Sequence, residues 1–168
     1  MEYKVVNLPK MKFIGFSKEF MMENFYQEIP KFWAYFLDEY ANNVYRGNEA
    51  RSELDKAIID NGIGEYGICI DDLGSTKFKY LIAGKYNGGV VPEGLIVYEF
   101  SESEWIIFDC IGPIPEVLQS LNTKIFKEWL PNNIEYELSI NCTVEWYDNG
   151  DTNDSNYHSA IWIPVKRK

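Results

Sequence analysis

The sequence has few of the residues from which several common active sites are built. Its 168 residues include one histidine and three cysteines, and Cys69, Cys110 and Cys142 are far apart, with no C-x-x-C pair. One histidine cannot form a multi-histidine metal centre, and isolated cysteines exclude zinc knuckles and thioredoxin-type motifs. We therefore expect His158 to be a solvated residue and the cysteines to be buried, reduced thiols. We expect no metal ion and no cofactor.

Long apolar runs and nucleotide-binding motifs are also lacking. No segment approaches the roughly 18 apolar residues of a membrane span, and the N-terminus has no apolar core of a signal peptide. Together with the sparse cysteines, this predicts a cytoplasmic protein without a membrane partner. The sequence has no Walker A loop, no G-x-S-x-G elbow and no G-x-G-x-x-G fingerprint. Any enzymatic activity would therefore depend on carboxylates, tyrosines and water.

Positive charge is scarce, whereas aromatic side chains are abundant. There are 16 Lys and Arg against 26 Asp and Glu, a formal net charge of −10, and 16% of the residues are aromatic. Binding to the phosphates of a nucleic acid requires clustered Lys and Arg, so the composition predicts no direct nucleic-acid binding. Aromatic side chains also form sites for flat or cationic molecules, and an acidic protein suits a cationic ligand.

Apolar residues at helical spacing predict two helices, near residues 29–43 and 115–130. The first apolar stripe contains Leu37, and we expect Pro30 to lie in the first helical turn. Around these helices the sequence predicts extended segments, at residues 3–6, 12–16, 66–70, 78–86, 95–100, 105–110, within 136–147, and at 159–165. Leu73, Gly74 and Ser75 indicate a turn between two of these strands, with Asp71 and Asp72 beside it.

This order of elements is β-α-β-β followed by β-α-β-β, which indicates an internal duplication of about 80 residues. We predict one domain, residues 1–168, made of two similar halves at about 1–87 and 95–168. The predicted fold class is α+β, with antiparallel sheets, helices on one face and a central ligand pocket.

Five segments, occurring in order, carry a family resemblance. They are Phe78–Gly84, Val91–Leu95, Trp105–Glu116, Glu128–Pro131 and Ile161–Val165. With them the chain resembles the GyrI-like, or AraC-type, bacterial effector-binding domain, the ligand-sensing part of several transcription regulators. The resemblance implies a duplicated β-α-β-β unit around a pocket. Because no helix-turn-helix precedes Tyr3, we expect a stand-alone member of the family.

The resemblance implies an acidic residue that receives cationic, lipophilic ligands among aromatic walls, and the matching segment is residues 143–147. Side chains alternate along a strand, so Val144 and Trp146 share one face while Glu145 and Tyr147 share the other. The apolar pair suits a face packed against helices. We therefore expect Glu145 and Tyr147 to point into the pocket.

Three further residues complete the predicted ligand-binding set, namely Trp162, Trp105 and Tyr80. Alternation in the closing strand is expected to turn Trp162 toward the pocket. Trp33 and Trp129 stand at helical-stripe positions and are expected in the core. The acidic run Glu99, Glu102 and Glu104 is expected to be a solvated edge rather than a metal site.

The favoured function is capture of an amphipathic small molecule, cationic or planar and aromatic, either to sequester it or to signal to a partner. An alternative is a hydrolase that opens cyclopropane-containing DNA-alkylating compounds, with Glu145 as general base and Tyr147 or Tyr80 as proton donor. Many relatives have a glutamate where this chain has Ala160, which counts against an enzyme.

A second alternative is a protein inhibitor of DNA gyrase, in which the net charge of −10 would imitate a nucleic acid. No acidic run longer than two residues supports this alternative. The sequence does not decide whether the protein forms a homodimer or binds a regulator as a partner protein.

Overall fold

The chain divides into two compact units whose boundaries differ from those of the predicted halves. The computed structural model describes residues 1–47, 49–71 and 76–168. The terminal unit consists of Met1–Lys10 and Ser101–Lys168, and the middle unit is Met11–Phe100. The prediction of halves at 1–87 and 95–168 assigned the first strand to the first half. The structure instead groups that strand with the second half. The predicted turn at residues 73–75, like Asp72, lies outside the described residues.

Within the described residues the chain forms nine strands and five α-helical segments. The strands are β1 (Tyr3–Leu8), β2 (Met11–Met21), β3 (Tyr66–Ile70), β4 (Lys77–Lys85), β5 (Ile96–Phe100), β6 (Ser103–Ile111), β7 (Tyr136–Leu138), β8 (Cys142–Tyr147) and β9 (His158–Arg167). The helices are α1 (Phe25–Phe36), α2 (Asn42–Tyr45), α3 (Glu53–Asp60), α4 (Glu116–Lys124) and α5 (Leu130–Asn132). None of them is long and apolar enough to span a membrane.

In the middle unit the strands pair antiparallel in the order β3-β4-β2-β5. Helices α1 to α3 cover one face of this sheet, and their apolar side chains pack against the strand residues of that face. The cluster includes Ile14, Phe36, Ile58, Phe78 and Ile82, each at most 2% exposed. Burial of these side chains is the main stabilising term of the unit.

In the terminal unit the strands pair antiparallel in the order β1-β6-β9-β8, and β7 also pairs with β9. The long helix that starts with α4 packs on one face of this sheet. Its buried residues Leu118, Leu121 and Ile125 contact a cluster that contains Phe108 and Ile161. Both units thus have an antiparallel sheet with helices on a face, which confirms the predicted α+β class.

The first helix starts earlier than predicted and contains a π-helical turn. Helix α1 begins at Phe25, so Pro30 lies inside the helix rather than in its first turn. The π-helical turn Leu37–Ala41 follows α1, and a second such turn, Ile125–Trp129, follows α4. A π-helical turn contains more residues than an α-helical turn and shifts the apolar stripe. Leu37, predicted on the buried stripe, is instead 43% exposed.

The segment between α3 and β3 is fixed by contacts of Asn61 and Gly84. The buried Asn61 amide donates to the Ala57 carbonyl, and its carbonyl oxygen accepts the backbone N–H of Asn87, both at 2.8 Å. A Cβ atom placed on Gly84 would lie 1.9 Å from the backbone carbonyl oxygen of Asn61. Only glycine permits this close approach of the two backbone segments.

Candidate functional site

The register of β8 and β9 decides which side chains of the predicted site share a face. Val144 pairs with Trp162, and Glu145 pairs with Ile161. Directly paired residues of antiparallel strands point to the same face of a sheet. Glu145 and Trp162 therefore lie on opposite faces, and the prediction that both face one pocket is wrong.

Glu145 and Tyr147 lie on the helix-covered face of the terminal unit. Ile161, the strand partner of Glu145, belongs to the cluster that packs against the helix. Tyr147 packs against the same cluster. The prediction had turned Val144 and Trp146 toward the helices, which is also wrong. Both Glu145 and Tyr147 are half-buried. A carboxylate thus stands two residues from a phenol on the helix-covered face, where their strand partners are Ile161 and Ser159.

Trp105 and Trp162 form an aromatic pair on the other face of the same sheet. Trp105 pairs with Pro164 in β9, which puts it on the face of Trp162. The two indole rings are 6.5 Å apart at 75°, an edge-to-face contact. Trp105 is fully buried and Trp162 is half-buried.

Tyr80 belongs to the middle unit and lies on its helix-covered face. Its side chain is 1% exposed, and its hydroxyl oxygen accepts a hydrogen bond from Trp33 Nε1 at 2.9 Å. Cys69 is its partner on β3. Trp33 is half-buried and packs against the core, as predicted, and it also orients Tyr80. The hydrogen bond between them was not predicted.

The sequence interpretation also missed a cation among these aromatic rings. Lys18 Nζ lies 5.5 Å from the ring centroid of Phe20 and 6.0 Å from that of Phe32. The signal in the sequence was the alternation that places Lys18 and Phe20 on one face of a strand.

Ala160 lies on the face opposite to Glu145. It pairs with Trp146 on β8 and with Asp109 on β6, and it is 2% exposed. A glutamate at this position would not stand on the helix-covered face with Glu145. A pair of carboxylates acting on one substrate would need both on the same face.

The remaining polar candidates are dispersed. His158 is exposed, and the exposed Glu99 lies 3.9 Å from Lys12 in an ion pair. Cys142 is buried, whereas Cys69 and Cys110 are half-buried, and burial raises the pKa of the Cys110 thiol. In residues 1–47, 49–71 and 76–168, no group of three or more His, Cys, Asp or Glu side chains is arranged to hold a metal ion.

Solved structures with this fold were found at low sequence identity. One is SAV2435 bound to tetraphenylphosphonium, with a TM-score of 0.79 and 22% identity over 99% of this chain and 94% of that chain. Another is a putative transcription regulation protein of Staphylococcus aureus MU50, with a TM-score of 0.71 and 23% identity over 99% of both chains.

The integron cassette protein VCH_CASS2, from the mobile metagenome of Vibrio cholerae, is similar with a TM-score of 0.65 and 13% identity over 98% of this chain and 95% of that chain. A search of curated protein sequences gives no match. The model of the Cass2 family, described as integron-associated effector binding protein, matches residues 4–165, which is nearly the whole chain. With this match added to the α+β fold of both units, the chain belongs to the Cass2 family of effector-binding proteins.

Proposed function

We propose that this effector-binding protein takes lipophilic, aromatic cations as its ligands and that Glu145 supplies the negative charge that selects them. The observation that carries the proposal is the position of Glu145. Its half-buried carboxylate stands on the helix-covered face of β8, opposite Ile161 and two residues from Tyr147. A charge on an apolar face favours a ligand of opposite charge.

The energetics support a cation rather than a neutral ligand. Removing a carboxylate from water is costly unless an opposite charge or hydrogen bonds compensate, and a cation beside Glu145 supplies an opposite charge that a neutral molecule of the same shape does not. The face of an aromatic ring such as Tyr147 attracts a cation further, by about 0.5–2 kcal/mol. The net charge of −10 adds a weaker, salt-screened attraction.

The comparisons add support for the ligand class. The family is one of effector-binding proteins, and the relative with the TM-score of 0.79 has tetraphenylphosphonium bound. This cation carries its charge at a centre enclosed by four phenyl groups, so that it offers no hydrogen-bond donor. A carboxylate and aromatic surface suit such a cation. In this chain Glu145 and Tyr147 offer both.

Tyr80 provides aromatic surface of the same kind in the middle unit, on a face that is also covered by helices. We keep Tyr80 as a proposed ligand-binding residue within the middle unit alone, and we expect Tyr80→Ala to weaken binding there. Because Tyr80 is 1% exposed, the variant needs a stability measurement beside the affinity.

The test compares two ions of similar shape and opposite charge, tetraphenylphosphonium and tetraphenylborate, by isothermal titration calorimetry. We expect wild type to prefer the phosphonium. Glu145→Gln should weaken phosphonium binding by roughly ten- to a hundred-fold, on the order of 1.5–3 kcal/mol, because it removes a charge near the ligand. Borate binding should be unchanged or stronger in this variant.

Glu137→Gln is the matched control, since Glu137 is an exposed glutamate of the same unit, 3.4 Å from Lys166, and its loss changes the net charge equally. We expect it to alter phosphonium affinity less than about twofold. Equal phosphonium affinity of wild type and Glu145→Gln would remove Glu145 from the proposed role. Equal binding of the two ions by wild type would refute selection by charge.

A further inference from the structure

The middle unit carries a group of aromatic rings that already holds a cation of the protein itself. Lys18 Nζ lies over the rings of Phe20 and Phe32, at 5.5 Å and 6.0 Å from their centroids. Both distances are within the range of a cation–π contact. Lys18 is also the strand partner of Tyr80, so that its side chain leaves the sheet beside that ring.

The rings are fixed in place by contacts that do not involve the lysine. Tyr80 contacts Phe20 and Phe32 edge to face, with centroids 6.4 Å apart in each pair. Trp33 Nε1 holds the Tyr80 hydroxyl at 2.9 Å, and Phe20 stacks on Phe78 at 5.8 Å. A packed core keeps such rings in their rotamers. The rings therefore keep their positions when the lysine leaves.

We propose that these rings form a cation-accepting site and that Lys18 is its tethered occupant, displaced when a lipophilic or quaternary cation binds. The proposal rests on the proposed function in taking the ligand to be a cation. It adds a second location, in the middle unit, and names a residue that sets the affinity there. The rings of this site are those of Phe20, Phe32, Trp33 and Tyr80.

Displacement is favourable because the two cations differ in hydration. A lysine ammonium is compact and strongly hydrated, and Lys18 is exposed, so it returns to water at little cost. A cation enclosed by hydrocarbon gains more from ring faces than from water. The tether nevertheless keeps the ammonium at a high local concentration, and a weakly bound cation cannot compete with it. Lys18 thus raises the threshold of affinity that a ligand must exceed.

The test measures tetraphenylphosphonium binding to Lys18→Met, which keeps an unbranched side chain and removes the charge. We expect affinity to rise about three- to tenfold, because both the competitor and its repulsion are lost. Tetraphenylborate should bind more weakly to this variant than to wild type. Lys12→Met is the control, since Lys12 lies on the same strand, is exposed and changes the net charge equally. It should alter either affinity less than twofold. Equal effects of the two variants would overturn the proposal.

A second measurement does not depend on ligand affinity. Ring currents should move the Lys18 Hε resonances upfield of those of other lysines in a ¹³C-lysine spectrum, where loss of the signals in Lys18→Met assigns them. Saturation with tetraphenylphosphonium should return them to the usual position. Unshifted resonances in the ligand-free protein would overturn the proposal and leave the proposed function intact. Resonances that stay upfield while phosphonium binds would do the same. If neither wild type nor Lys18→Met binds phosphonium, the proposed function fails and this proposal with it.

Discussion

Val144 and Trp162 are direct strand partners across β8 and β9, and this pairing turns Glu145 away from Trp162. The Glu145 carboxylate and the Trp162 indole, although close in the sheet, therefore point to opposite faces. Glu145 shares the helix-covered face with Tyr147, whereas Trp162 shares the other face with Trp105. The five residues predicted for one site do not share one face.

The first prediction concerns the tryptophan pair. Trp105 is fully buried and contacts Trp162 edge to face, so Trp105→Ala should lower the free energy of unfolding by roughly 3–5 kcal/mol. Trp162→Ala should also destabilise the protein, yet it should weaken phosphonium binding far less than Glu145→Gln. Urea unfolding and calorimetry on the folded variants measure the two effects. A loss of affinity in Trp162→Ala equal to that in Glu145→Gln would restore Trp162 to the ligand-binding set.

The second prediction concerns Asn61, the buried amide between α3 and β3. Asn61→Ala removes two hydrogen bonds, to the Ala57 carbonyl and from the Asn87 backbone N–H, and should cost roughly 2–4 kcal/mol of unfolding free energy. Asn87→Ala is the control, because it keeps the backbone N–H that Asn61 accepts and removes an exposed side-chain bond to Gly89. We expect it to cost less than about 1 kcal/mol. Equal losses in urea unfolding would show that the buried amide has no special role.

The third prediction concerns the pH dependence of stability through Tyr157. Burial, and then the charge of Asp148, raise the pKa of Tyr157 from 10.0 to about 12 in the folded protein. The phenol is 5% exposed and donates to the Asp148 carbonyl at 2.7 Å. Because the folded pKa is the higher one, the stabilisation is present below pH 10 and is lost as the pH rises toward 12.

Between pH 9 and pH 11, wild type should therefore lose on the order of 1 kcal/mol more unfolding free energy than Tyr157→Phe. The phenylalanine variant keeps the ring but has no proton to lose, and it is less stable than wild type at pH 8 by the lost hydrogen bond. Parallel declines of the two proteins in urea unfolding at these pH values would contradict the assignment to Tyr157.

The two helices near residues 29–43 and 115–130 and most strands could be predicted because their signals are local. Phe32, Trp33 and Phe36 recur at helical spacing, and each packs in the core of the middle unit. Leu37 continues that spacing and is nevertheless 43% exposed, and the π-helical turn that begins at this residue leaves no mark in the pattern.

The site was harder to predict because both faces of the terminal unit's sheet are buried. Val144 is 0% exposed on one face, and Ile161 is 1% exposed on the other. Alternation then separates two faces but does not say which one the helices cover. The polarity of Glu145 suggested the face without helices, and only the register with β9 corrects this. The cation–π contact of Lys18 depends on the positions of two rings from two elements, Phe20 on β2 and Phe32 on α1.

The placement of β1 has a consequence for the order of folding during synthesis. The middle unit is one continuous segment, Met11–Phe100, which can begin to fold as soon as the ribosome has released it. The strand Tyr3–Leu8 is made first, yet its partner β6 starts only at Ser103. At about 5–20 residues per second, that partner follows after roughly 5–20 seconds of translation. Strand β1 thus waits through the synthesis of the whole middle unit before its partner exists, with its backbone groups in water.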